Sequence, residues 1–336
     1  RRRMSRSTIA AAPVFVAMEI APMLRDLQPM MTAMRVAGVD PKPLLANDTA
    51  HLVAYGQDVV SLHEIPGINL TAARVDGEIR VNLIVRKWVN VEQPVHLCLG
   101  LFEPTGEQKI RLAVWLEPNS RASFIAHCLF TRPRSASHQM QADFTIGTGA
   151  ELRYTESHFH GDSGGMDVRP TATIHLGRDA RMFSDFSLIS GRVGVLDIDY
   201  DVDVGENAVA EFTSKVYGRG TDQIRIRERL VLSGTNARGL IKSRIAATDD
   251  AVAEIIGMTE GNAAGARGHV DCMEIVRDRA RVSANPMVKV SHPQAKVTHE
   301  AAIGSVDHQQ LETLMARGLS PDAAVDLIVS GILRNA

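Results

Sequence analysis

Gly205-Glu206-Asn207-Ala208-Val209-Ala210-Glu211-Phe212 contains a turn and the alternating run that follows it. Glycine and asparagine accept the left-handed backbone of tight turns. Ala208, Ala210 and Phe212 then share one face of an extended strand. The unit recurs along the chain. Glu117-Pro118-Asn119-Ser120, Gly147-Thr148-Gly149-Ala150 and Gly177-Arg178-Asp179-Ala180 precede it, and Gly234-Thr235-Asn236-Ala237 follows, at steps of 30, 30, 28 and 29 residues. Thr248-Asp249-Asp250-Ala251, Arg277-Asp278-Arg279-Ala280 and His292-Pro293-Gln294-Ala295 fit at roughly half-steps. A fixed step with one turn and one strand per copy is the pattern of a solenoid, in which each copy buries its apolar face only against its neighbours. A β-sandwich also has short strands and turns, but it does not predict a fixed step.

The expected fold is therefore mainly β. A right-handed parallel β-helix core spans 71–303, between a mixed or helical N-terminal segment (1–70) and C-terminal helices (304–336). Strand runs begin at Ile79, and helical patches fall between Ala17 and Val36, broken by Pro22 and Pro29. Met18, Met23, Met30, Met31 and Met34 fit core packing or a dimer contact better than a ligand face. From Asp307 the apolar period becomes helical. Leu311, Leu314 and Met315 form one stripe, and Arg317-Gly318 ends it. Ser320-Pro321 then restarts a helix with a cap and an N-terminal proline, carrying Ala324, Leu327, Ile328 and Leu333 as its apolar positions. These helices suit an end cap or a docking surface equally well.

Composition narrows the function. Of 336 residues only 4% are aromatic, which suits thin stacked layers. A net charge of −2 with interspersed signs gives no nucleic-acid surface. No run approaches the roughly 20 apolar residues of a membrane span. Arg1-Arg2-Arg3-Met4 and Ile9 to Ala12 fail as a signal peptide because Pro13 and Glu19 interrupt the apolar region, so a cytoplasmic chain is expected. Cys98, Cys128 and Cys272 make no disulfide framework, and three thiols cannot supply four ligands to an iron–sulfur cluster. Gly234 to Gly239 has the glycine spacing of a phosphate-binding loop, but Leu240-Ile241 stands where Lys-Ser/Thr is required, so any ATP-driven step belongs to another protein.

Each candidate site residue has two readings. Cys272 follows Arg267 and His269, which could favour its thiolate, yet a lone cysteine is more often a small core hydrophobe. His299 and Glu300 are a possible ligand pair, of which only one can face Cys272 from a regular strand. Cys128, in Phe124-Ile125-Ala126-His127-Cys128, falls on the inward face with Phe124 and Ala126, and Cys98 reads as core. His158 and His160 share one strand face, and the commoner reading of such a pair is exposed turn histidines.

Two stretches together carry a family resemblance. They are Glu211-Phe212-Thr213-Ser214-Lys215-Val216-Tyr217-Gly218-Arg219-Gly220 and the run from Gly268 to the end, with Asp271-Cys272-Met273, Ser291-His292-Pro293, Val297-Thr298-His299-Glu300-Ala301, Gly304-Ser305-Val306-Asp307 and Arg317-Gly318-Leu319-Ser320. The chain resembles the SufB/SufD family of iron–sulfur cluster assembly scaffolds over about residues 80 to 336, most closely a compact SufB. The resemblance implies a non-enzymatic scaffold that holds a transient iron–sulfur cluster at a subunit interface. Cys272 and Glu300 are the implied ligands, with His299 in second place, and Cys128 is the implied sulfur acceptor. It further implies a SufC-type ABC ATPase docked on the C-terminal helices, for which Leu311, Leu314, Arg317, Gly318, Leu319 and Leu327 are the candidate contacts. A second β-helix subunit, as a homodimer or a SufB/SufD-like heterodimer, is also implied. The chain lacks the N-terminal Cys-rich motif many SufB proteins carry. Two rival readings are a SufD-like partner of the ATPase that binds no cluster, and a β-helix polysaccharide enzyme, which the few aromatics disfavour.

Overall fold

The computed structural model describes residues 27–334. The chain winds into a parallel β-solenoid of about eight coils. Each coil contributes one strand to each of two sheets. Sheet I runs from Asp58–His63 and His51–Tyr55 through Val95–Gly100, Arg121–Phe130, Glu151–His160, Arg181–Ser190, Val209–Gly218, Arg238–Ala247 and Arg267–Val276 to Lys296–Gly304. Sheet II runs from Ile68–Val75 through Glu78–Val85, Thr105–Leu116, Ser135–Ile146, Met166–Leu176, Gly194–Val204 and Gln223–Leu232 to Val252–Gly261, which pairs with both Arg281–Ala284 and Met287–Val290. The sheets start earlier than the strand pattern from Ile79 suggested, because His51–Tyr55 already pairs in parallel with Val95–Gly100.

The four-residue units are the corners. In the column leading from sheet II to sheet I the third residue is left-handed on successive coils: Asn119 (φ 60°), Gly149 (67°), Asp179 (58°), Asn207 (54°), Asn236 (58°) and Gly265 (70°). Gly265 belongs to Ala263-Ala264-Gly265-Ala266, a copy the repeat analysis missed because it opens on alanine. The Thr248 and Arg277 units, with Arg219-Gly220-Thr221-Asp222, lie in the opposite column, where the left-handed residue is the second (Gly220, Asp249 and Asp278), whereas His292-Pro293-Gln294-Ala295 links Met287–Val290 to Lys296–Gly304 and belongs to the first column. Asn, Asp and Gly are the residues that take this conformation at least cost. The fourth residue points inward and is small. Ser120, Ala150, Ala180, Ala208, Ala237 and Ala266 are all fully buried, since a larger side chain would meet the coil above. Corners also bond to corners, as Asn207 N–H does to Thr235 O and Asn236 N–H to Ala264 O, both at 2.8 Å.

Between corners, burial alternates residue by residue, most regularly in Met166–Leu176. Inward positions form one continuous core along the axis, with Phe124, Phe130, Phe212, Leu83 and Leu116 among its fully buried members. Each such side chain contributes about 1.5–3 kcal/mol. The outer face of sheet II is charged. Arg225 and Arg229 pair with Asp197 and Asp201, and Arg227 with Asp199, so this face is solvated.

The outer face of sheet I is covered at both ends. Helix α1, Gln28–Val36, buries Met30, Met34 and neighbouring side chains against Val53, Cys98 and Leu129. This bears out the packing role of the described methionines; Met18, Met23 and the helical patch before residue 27 lie outside the described residues. At the other end come α2, His308–Ala316, and α3, Pro321–Arg334. Asp307 caps α2 by accepting from Gln310 N–H at 2.7 Å, and Ser320 Oγ accepts from Ala323 N–H at 3.3 Å before α3. Helix α3 packs Val325, Val329 and Leu333 onto Tyr217, Ala246 and Ile275 of sheet I, and Tyr217 donates to Asp326 at 2.8 Å. Leu327, expected in this stripe, is instead 54% exposed, because Val325 and Val329 occupy the packed face.

Candidate functional site

The strand register decides which side chains meet. On sheet I, Ala126, Glu156, Phe186, Ser214, Ser243, Cys272 and Ala301 follow one another across neighbouring strands; Cys128, His158, Leu188, Val216, Ile245, Glu274 and Ile303 form the next inward row. Cys128 and Cys272 thus both face the interior, one row and five coils apart. At about 4.8 Å per strand the separation along the axis is roughly 24 Å.

Around Cys128 the interior is polar and closed. Cys128, Glu156 and His158 are all buried, and one ligand atom from each lies within 4.8 Å of the others. His158 Nε2 is 2.8 Å from Glu156 Oε1, its Nδ1 is 3.3 Å from His160 Nε2, and Tyr154 donates to Glu156 Oε2 at 3.0 Å. His138 approaches from sheet II, held by Gln108 Oε1 at 2.9 Å. The His158–His160 pair is therefore interior: Leu152, Tyr154, Glu156, His158 and His160 all fall on inward positions of one strand. Burial, with Glu156 and Cys98 nearby, pushes the Cys128 thiol well above its ordinary range. Burial likewise holds His138 neutral, with its pKa lowered to about 3.

Around Cys272 the surroundings differ. The thiol is 1% exposed, and Ser243 is its register neighbour. Burial raises its pKa to about 11, with Glu274, Glu228 and Asp271 adding in the same direction while the Ser243 hydroxyl pulls against them. Arg267 and His269, expected to activate it, lie at outward positions of the strand, since their spacing from Cys272 is odd. Glu274, on the inward face two residues on, accepts from Ser243 at 3.2 Å through Oε1, while its Oε2 is buried without a partner. Burial lifts Glu274 to about 7. Glu228, which accepts from Ser214 at 2.7 Å, is raised to about 7 in the same way.

A polar seam joins the two regions. Tyr200, on sheet II, lies in the electrostatic field of Glu156, Glu228 and Cys128, and Cys272 lies in the field of Glu228. Ser214 and Ser243 are fully buried along the same line. Sequence reasoning missed Glu156, Glu228, Ser243 and Glu274, although parity counted from the buried corner residue places Glu156 and Glu274 inward.

The remaining candidates lie on the last coil. His299 shares the inward face with Ala301, and Glu300 lies outward beside Asp271; both are exposed because no further coil covers Lys296–Gly304 among the described residues. Cys98 sits under α1, outside the main interior, and burial raises its thiol to about 12. Of the helix residues, Leu311, Leu314 and Leu319 are half-buried, and Arg317, Gly318 and Leu327 are exposed.

Comparison with known proteins gives a consistent result. Residues 103–332 match the model of the SUF system FeS cluster assembly, SufBD core domain. An iron–sulfur cluster assembly SufBD family protein of Methanocaldococcus jannaschii is 34% identical over 308 residues, covering 92% of this chain and 98% of the relative. One of Pyrococcus horikoshii is 30% identical over 310 residues, covering 92% and 94%. A chloroplastic SufBD family protein of Arabidopsis thaliana is 24% identical over 236 residues, covering 67% and 42%. The chain belongs to the SufBD family of iron–sulfur cluster assembly proteins.

Proposed function

We propose that the chain is the scaffold of a SUF-type assembly complex and builds a nascent cluster around Cys272 at the interface of two β-solenoid subunits. The observation that carries this reading is the Cys272 end itself. A thiol and a carboxylate with an unpaired buried oxygen sit one strand below the point where the solenoid stops. A pKa near 11 keeps the thiol protonated until a metal displaces the proton, and Glu274 is poised to titrate near neutrality. One thiol cannot hold a cluster, so a second subunit completes the set. The end is suited to one. Among the described residues Lys296–Gly304 presents a free strand edge, and Val288, Val290 and Ile303 expose apolar side chains beside it. An unprotected edge of this kind favours pairing with another chain. In a homodimer two copies each of Cys272, His299 and Glu300 come to one interface.

The family resemblance makes Cys128 the candidate sulfur acceptor, a role that requires the surrounding coils to open before a donor can reach it. The roughly 24 Å to Cys272 forbids direct thiol-to-thiol exchange. A Cys128 persulfide therefore gives up its outer sulfur as hydrogen sulfide to an external dithiol, which is oxidised to its disulfide, and the sulfide crosses the polar seam past Tyr200, Glu228 and Ser243. A SufC-type ABC ATPase docks on α2 and α3, where Leu327 and Met315 are exposed, and its closure on ATP pulls the last coil open. The complex acts in the cytoplasm. A second reading, a SufD-like partner that binds no cluster, draws support from the deep burial of Cys272.

Iron and acid-labile sulfide, measured after anaerobic co-expression with the cognate ATPase, test the choice. Near-equal iron and sulfide, lost in Cys272→Ser, is the expected result. A cluster that survives the substitution removes Cys272 from the site and sinks the scaffold reading as stated.

A further inference from the structure

We propose that Cys128, Glu156 and His158 form a closed site for one thiophilic divalent cation, Zn2+ or Fe2+, inside the solenoid. The site is separate from the Cys272 end and independent of whether a cluster is built there. Three donors of different elements converge. Cys128 and His158 are register neighbours on adjacent strands, and Glu156 lies two residues before His158 on the same inward face. One donor atom from each lies within 4.8 Å of the others. A tetrahedral ion bonded at about 2.0–2.3 Å sets its ligand atoms roughly 3.3–3.8 Å apart. Glu156 Oε1 and His158 Nε2, at 2.8 Å, share a proton. A cation replacing that proton separates them by about 0.5 Å, within the freedom of two side-chain torsions.

The outer contacts suit the same purpose. His160 at His158 Nδ1 turns Nε2 towards the carboxylate, and the Tyr154 hydroxyl occupies Glu156 Oε2 and leaves Oε1 for the ion. Ligands held by such neighbours bind metal about 10- to 100-fold more tightly than loose ones. Charge also favours an ion. A thiolate and a carboxylate surrounded by Phe130, Phe186, Tyr154 and Tyr200 are costly to bury alone, and a divalent cation neutralises the pair. One sulfur, one nitrogen and one oxygen donor select a borderline metal over Mg2+ or Ca2+. A further donor is at hand. His138 Nε2 is buried without a partner, and its ring lies 6.4 Å from that of His158 between centroids.

The test uses the full chain carrying Cys272→Ser, so that loss of the proposed cluster site cannot be mistaken for loss of this one. It is expressed in medium supplemented with Zn2+ or Co2+, because the site is closed once the chain has folded. Metal content of the purified protein and the Co2+ absorption spectrum are read. Near one ion per chain with a thiolate-to-cobalt charge-transfer band is expected. The band disappears in Cys128→Ser, and bound metal is lost in Glu156→Gln and His158→Gln, each of which removes a ligand atom, while Tyr154→Phe, which removes only a supporting contact, weakens affinity about 10- to 100-fold. If Cys128→Ser does not fold, cobalt-edge X-ray absorption of the Cys272→Ser protein decides: one sulfur among nitrogen and oxygen neighbours, retained in Cys98→Ser, supports the site. A metal-free protein, a cobalt spectrum without sulfur ligation, or a thiolate band that persists without Cys128 overturns it.

Discussion

Cys128 and Cys272 face the same interior, yet the chain encloses them differently. Cys128 has coils on both sides, aromatic neighbours in Phe130 and Phe186, and a hydrogen-bonded Glu156–His158–His160 line beside it. Cys272 has one strand beyond it, and the inward residues of that strand, His299, Ala301 and Ile303, are exposed. In a solenoid each coil is stabilised only by its neighbours, so opening is cheapest at the ends. A mid-solenoid thiol is held in a fixed, sealed environment, whereas a thiol one coil from the end becomes accessible through local opening or a partner.

The contrast can be broken first in its packing. Phe186→Ala, which removes a 2% exposed ring at mid-solenoid, should cost about 3–5 kcal/mol in denaturant unfolding. Ile303→Ala, at a side chain 53% exposed on the last strand, should stay within about 0.5 kcal/mol in the isolated monomer. Equal losses at the two sites would mean that the last coil is as tightly held as the middle.

Buried charge also separates the interior from the exposed end. Burial raises Glu228 from 4.5 to about 7 in the folded state. A raised carboxylate pKa means that the folded state holds its proton longer. The contribution is intact below pH 4.5, declines as pH rises, and is fully lost above pH 7, by on the order of 3 kcal/mol. Glu228→Gln still accepts from Ser214 and carries no such penalty. The stability difference between variant and parent should therefore be near zero at acid pH and grow across that window. The buried histidines act in the opposite direction on the acid side and cancel in the difference. A pH-independent difference would show that Glu228 titrates in the fold as it does in the unfolded chain.

The smallest effect belongs to the C-terminal helices. Asp307→Ala removes the cap of α2 and should cost about 1 kcal/mol of local stability, read as faster amide exchange confined to residues 308–316. Faster exchange spreading into Arg267–Val276 would show that α2 stabilises the Cys272 coil directly.

The fold was legible because its corners are chemically marked. Asn119, Asp179, Asn207 and Asn236 sit where the backbone is left-handed, and the small residue after each has no room to be large. Where these marks weaken, reading weakened too. Ala263 to Ala266 lacks an initial Gly, and the N-terminal strands are joined by antiparallel hairpins that break the period. The site was legible only in part. Cys128 and Cys272 stand out as rare residues, but Glu156, Glu228 and Glu274 resemble solvent-facing charges in sequence. Only counting inward parity from the corner separates them from outward neighbours such as Asp271. The orientation of Glu300 relative to Cys272 likewise depends on strand register.

The most direct test of the account is the rate at which each thiol is alkylated in the native protein, read by peptide mass spectrometry at Cys98, Cys128 and Cys272, with and without the cognate ATPase and ATP. Cys272 should be labelled first, and ATPase with ATP should accelerate it, while Cys98 and Cys128 keep the slow rate set by global unfolding. One common rate for all three thiols, or a Cys272 rate indifferent to ATP, would contradict it.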